Sequence, residues 1–166
     1  MSTKESRALS EEELQELVAA SDSGARSPSG AIGLFIAAVA LMWSIFQVLL
    51  ASPVAPYVLP GDLINNSRQI HLAFAMFLAA MAYPLFKSSP RDHIPLYDWG
   101  LAIAGAFLAL YGYFFYDKIV GNGGLADVSD AYFALAGLIL LFIASYRVLG
   151  PVMVILAVVF LFYVFF

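Results

Sequence analysis

Five apolar stretches without a single Asp, Glu, Lys or Arg dominate this sequence: 31–51, 70–86, 99–116, 131–146 and 148–166. At a helical rise of about 1.5 Å per residue, the first is long enough to cross a hydrocarbon core of about 30 Å. The fourth is short for a full crossing, and the fifth runs to the last residue. A small soluble domain has a large surface for its volume and must cover it with polar groups. Of these 166 residues 62% are hydrophobic and only 12% are charged, against about 45–50% and about 25% in soluble domains. A soluble globular enzyme, a disordered chain and a basic nucleic-acid binder are therefore excluded. No alternation of apolar and polar residues is long enough for a β-barrel, and no internal repeat is visible. The expected fold is an all-α integral membrane protein, a bundle of four to five transmembrane helices behind a polar N-terminal cytoplasmic tail.

The tail, residues 1–30, holds three basic and six acidic residues and so carries most of the chain's net charge of −4. It is too acidic to dock on anionic lipid. It also lacks the basic start and short apolar core of a secretory signal, so the first apolar run reads as a true anchor. Ser10 with Glu13 fits a capping box, and Leu9 with Leu14 fits a hydrophobic staple. Leu14, Leu17 and Val18 then share one face of a short amphipathic helix, with Gly24 as its stop. That helix is either solvated or docked on a partner. Arg26-Ser27-Pro28-Ser29-Gly30 reads as a linker, leaving 31–166 as the transmembrane helical domain.

Polar connections fall at 52–69, 87–98 and 117–130. The first is broken by Pro53, Pro56, Pro60 and Gly61, the third by Gly121, Gly123 and Gly124. Arg147 and the following Gly150-Pro151 separate the last two stretches, which form either a tight hairpin or one helix kinked at the proline. With the N-terminus inside, Lys4, Arg7, Arg26, Lys87, Arg91 and Arg147 lie inside and only Arg68 and Lys118 outside, as the positive-inside bias requires.

The residues offer little chemistry. The chain has no cysteine, which excludes disulfides and thiolate metal sites. His71 and His93 fall on opposite sides of the membrane in this topology and cannot share a haem. No zinc-protease, phosphate-loop or nucleotide motif occurs. No catalytic, cofactor or metal site is expected, and the uncharged spans speak against a channel or pump formed by this chain alone. Partner contacts are the better prospect. Arg68 and His71 share a helix face at the outer boundary, for anchoring or for another subunit. Gln47 is the one mid-span amide and wants a hydrogen bond from another helix. Asp98 can cap the third helix or favour its dipole, and Tyr97 and Trp99 suit an interfacial aromatic belt. Arg147 marks the last connection. Ala75, Ala79 and Ala82, like Ala102, Gly105 and Ala106, allow close helix approach.

Taken together, Arg68-Gln69-Ile70-His71-Leu72 and Ala82-Tyr83-Pro84-Leu85-Phe86 resemble the start of the fused membrane permease of TRAP transporters, TAXI type. Ile94-Pro95-Leu96-Tyr97-Asp98-Trp99 is similar to that family's loop before its third helix. Tyr146-Arg147-Val148-Leu149-Gly150 is similar to its passage towards the large domain. The resemblance covers roughly residues 30–166. It implies sodium-driven uptake of small organic anions delivered by an external solute-binding protein, across a bacterial or archaeal inner membrane. It also implies that this small domain is a scaffold, with sodium and substrate held by the large permease domain, its partner. The sequence stops at Phe166 inside an apolar run, so an isolated small subunit, a split product or a truncated chain is expected. No sodium or substrate residue carries over to it. The competing expectation is a membrane anchor for a respiratory or other membrane enzyme complex.

Overall fold

The computed structural model describes residues 25–26, 28, 30–84, 90 and 93–165. The short tail helix expected after Ser10, and the connection holding Lys87 and Arg91, lie outside these residues. Nine helices follow one another among the described residues: α1 (Gly30–Ala51), α2 (Ala55–Val58), α3 (Gly61–Asn65), α4 (Ser67–Ala82), α5 (Leu96–Ala109), α6 (Tyr111–Phe114), α7 (Tyr116–Gly121), α8 (Val128–Leu149) and α9 (Pro151–Phe165). The protein is all-helical there. Two helices, α1 and α8, each of 22 residues, are long and apolar enough to cross a membrane.

Local chemistry sets the boundaries. Tyr83 is extended (φ −116°, ψ 120°) and ends α4, because the ring of Pro84 disfavours a helical residue before it. Leu96 opens α5 directly after Pro95, and the Asp98 amide donates to the Pro95 carbonyl at 3.0 Å. At the start of α8, Asp127 and Asp130 form a reciprocal capping box. That cap starts the helix three residues earlier than the apolar run does. The same helix continues to Leu149, so the stretch that looked short for a crossing is as long as α1. It ends at Gly150, whose φ of +81° favours glycine, and Pro151 then opens α9 where a missing amide costs nothing. The last two stretches are thus two helices joined through Gly150.

The third stretch, expected as one span over 99–116, is three helices. Leu110 (φ −90°, ψ 2°) and Phe115 (φ −108°, ψ 23°) interrupt it. The breaks let Tyr111 stack on Phe115 and Phe133, with ring centroids 4.6 and 4.7 Å away. Tertiary stacking here outweighs continuous helix propensity.

The tightest pair is α4 with α5. Ala102 is fully buried, and Gly105, one turn on, lies against Met76: a Cβ there would come within 3.2 Å of the Met76 Cε. The small residues of α5 thus bring two backbones together. Met81, Ile94 and Ala102 form the core, covered by Ile36, Phe77, Ala80 and Trp99. Against this pair α1 packs on α4, α8 packs on both, and α9 follows α8.

Candidate functional site

Polar side chains gather in three places. The first joins the segment before α1 to the start of α5. Arg26 and Asp98 form a buried ion pair, with side chains 0% and 2% exposed. Arg26 Nε also donates to the Pro90 carbonyl at 3.0 Å, and its backbone amide donates to the Ala82 carbonyl at 2.7 Å. Its Nη1 is buried without a partner. Asp98 therefore sits in the first turn of α5 but makes no side-chain cap; the N-cap is Pro95. Its charge is taken up by Arg26 instead. Arg147, in the last turn of α8, is half-buried and lines a small cavity with Asp98 and Tyr83.

The second cluster lies between α1 and α4. Gln47 Nε2 is 2.7 Å from His71 Nδ1. An amide nitrogen only donates, so Nδ1 accepts and the neutral ring carries its proton on Nε2. Trp43 meets His71 edge-on at 5.0 Å and stacks on Phe74, while its indole nitrogen is buried without a partner. Gln47 thus obtains the interhelical bond its depth requires. Arg68 lies one turn before His71 and is exposed. Trp99 is half-buried and packs on Phe35 and Phe77, with ring centroids 5.8 and 6.4 Å away.

The third cluster ties α6 and α7 to α8. Asp130 is 5% exposed. It accepts from the Tyr111 hydroxyl at 2.6 Å, from Lys118 Nζ at 2.7 Å and from the Asp127 amide at 2.8 Å. Lys118 also reaches the Ser129 hydroxyl at 3.2 Å and Asp127 at 3.5 Å. The hydrogen bond to Asp130 raises the Lys118 pKa above its ordinary value.

Of the expected contact residues, Gln47 and His71 are brought together, and Asp98 and Arg147 share one cavity. Arg68 and Trp99 join neither group. Two residues were missed. Arg26 falls in the expected linker, yet it is the last cation before the first apolar run and Asp98 the last anion before the third. Charges at neighbouring helix ends need partners. Asp130 falls in the expected polar connection 117–130, yet Asp127-Val128-Ser129-Asp130 before an apolar run has the spacing of a capping box. With the helix bounds corrected, Arg68, Asp98, Asp130 and Arg147 all lie within helices, each in a first or last turn. Among the described residues no group of three His, Cys, Asp or Glu side chains is placed to hold a metal ion. No family model, curated protein or solved structure matches this chain.

Proposed function

We propose that this chain is a membrane scaffold component of a TRAP-type secondary transporter, with four to five spans and a cytoplasmic N-terminus. The reading assigns it to the support of sodium-driven uptake of small organic anions. A large permease domain is its partner, and an external solute-binding protein delivers the substrate. The transporter assignment rests on the resemblance of residues 30–166.

The scaffold role rests on one observation about charge. Every charged side chain of the long described helices lies in a first or last turn, and the middle turns of α1, α4, α5, α8 and α9 hold none. A chain that moves ions or protons keeps ionisable groups at mid-membrane depth. The apolar surface supports placement in lipid: α1 buries none of its residues, and Leu34 and Val48 remain 74% and 71% exposed. An apolar surface of that extent needs lipid or protein against it.

Reconstitution tests the reading. Liposomes containing this chain alone, under an inward sodium gradient and with the binding protein outside, take up no organic anion. Liposomes that also contain the large permease domain take it up, and omission of this chain abolishes uptake. Uptake by this chain alone, or undiminished uptake without it, overturns the reading. Single cysteines at Ser23, Ser89 and Asn122 test orientation: only Asn122 should react with an impermeant thiol reagent on intact cells.

A further inference from the structure

Helix α8 has two unlike faces. One points into the bundle. Gly137 lies against α5, where an added Cβ would stand 3.5 Å from the Leu108 Cβ. On the same side Asp130 takes the Tyr111 hydroxyl, and Leu141 and Ala144 line the seam with α4. The other face points away. Val128, Tyr132, Leu135, Ile139, Ile143 and Tyr146 recur at spacings of three and four, so they form one stripe along the helix. Each of the six is at least 38% exposed with α9 in place.

The stripe has a tyrosine near each end and a charge just outside it. Asp130, bonded to Lys118 Nζ, lies two residues before Tyr132, and Arg147 directly follows Tyr146. No Asp, Glu, Lys or Arg lies between them. The two tyrosines are fourteen positions apart, about 21 Å at the helical rise. A hydrocarbon core is about 30 Å thick. Phenol arms that lean outward, with the polar tip towards water, make up the difference.

We infer that this stripe is a lipid-contact face, with Tyr132 and Tyr146 at the two borders of the hydrocarbon core and Ile139 at its middle. Tyrosine gathers at both borders of a bilayer, because its ring is apolar and its hydroxyl is not. A face that receives another helix in lipid is built differently: it carries small residues that let the backbones approach. On α8 Gly137 and Ala144 lie on the bundle side, whereas all six stripe residues are large. The large permease domain of the proposed function therefore docks elsewhere on this chain. The Lys118–Asp130 cluster and Arg147 fall into opposite headgroup layers. The inference rests on the membrane placement in that reading and is independent of the transporter assignment.

The test is a depth profile. The chain has no cysteine of its own, so a nitroxide label can be attached to single cysteines at Val128, Leu135, Ile139, Ile143 and Leu149, and at Ala144 on the bundle side. Stripe positions are exposed, so the label displaces nothing there. The full chain is reconstituted in phosphatidylcholine bilayers. Electron paramagnetic resonance then measures collisions with oxygen, which concentrates in hydrocarbon, and with a nickel chelate, which stays in water. Oxygen collisions should be frequent at Leu135, Ile139 and Ile143 and rare at Ala144. The ratio of oxygen to nickel collisions should peak at Ile139 and fall towards Val128 and Leu149. Addition of the large permease domain should leave the stripe values unchanged. Rare collisions with both reagents along the stripe would show a second copy covering it and overturn the inference. A drop that follows only from adding the permease domain would seat that partner on the stripe, with the same consequence. A peak displaced from Ile139 by a full turn or more would refute the two tyrosines as borders. Frequent nickel collisions along the whole stripe would defeat the shared membrane placement, whereas a failed uptake assay beside an intact profile would defeat the transporter reading alone.

Discussion

Breaking the Arg26–Asp98 pair from one side should destabilise the protein more than most single substitutions. Arg26→Ala leaves the Asp98 carboxylate buried, with a side chain 2% exposed, and removes the one cation within ion-pair distance of it among the described residues. It also removes the donor to Pro90 that ties residue 90 to residue 26. Removing one partner of a buried ion pair costs about 3–5 kcal/mol, chiefly the desolvation of the charge left behind. For a chain of this length each kcal/mol moves the midpoint by about 2–4 °C, so a loss of about 6–20 °C is expected. Asp98→Ala should fall in the same range, because the guanidinium then keeps only a carbonyl.

The double variant Arg26→Met, Asp98→Leu decides the cause. Apolar residues in place of a buried pair are often neutral or stabilising, so it should recover most of the loss and reveal a large coupling. Thermal unfolding in detergent, followed by tryptophan fluorescence, gives the midpoints, and Trp99 lies next to Asp98 in the affected core. Single variants within a degree of wild type would refute the claim that the pair is buried and matched. A double variant as unstable as the singles would show that the loss comes from cavities rather than from charge.

Gln47→Leu leaves the His71 Nδ1 acceptor unpaired and should cost about 0.6–1.7 kcal/mol, the range of interhelical polar contacts in membranes. The double variant Gln47→Leu, His71→Leu should return close to wild type in the same unfolding assay. Gly33→Ala would push a Cβ into the Pro28 carbonyl oxygen and displace the segment that delivers Arg26. A loss of about 1–3 kcal/mol is expected, smaller than that of Arg26→Ala and absent in an Arg26→Met, Asp98→Leu background. Lys118 has a pKa raised above 10.5 by Asp130. Its contribution is therefore whole below that pH and is lost as pH rises through the raised value. The midpoint gap between wild type and Lys118→Met should be constant up to pH 10.5 and close above it.

The helical class was legible because apolar runs without charge leave few alternatives. The ends of the helices were less so. A run of apolar letters marks what lipid or a core accepts, whereas a helix ends where its orphan amides and carbonyls find partners. At α8 those partners are Asp127 and Asp130, both outside the apolar run, so the helix extends past it. In 99–116 the opposite occurs: the run stays apolar while the helix breaks twice. Next to the joint at Leu110, Gly112 weakens the helix locally, and Tyr111 stacks on Phe133 of another helix, a contact that no local pattern shows.

The polar clusters follow the same division. Gln47 announced its need by depth alone, and a histidine on the neighbouring helix met it. Arg68 with His71 illustrated the limit of face-sharing: positions three apart do lie together on α4, yet His71 turns its Nδ1 to Gln47 and Arg68 stays in the open. Arg26 and Asp98 are 72 positions apart, so no spacing rule couples them. What does couple them is electrostatics at a boundary. A charge within a turn of an apolar span is held where water is scarce, and its free energy falls most when an opposite charge is buried with it. In this fold the ends of α1 and α5 on that side are adjacent, with the Ala82 carbonyl at the end of α4 taking the Arg26 amide. One arginine thereby fastens three helix ends. Arg147 comes to the same place from α8 and finds the carboxylate occupied.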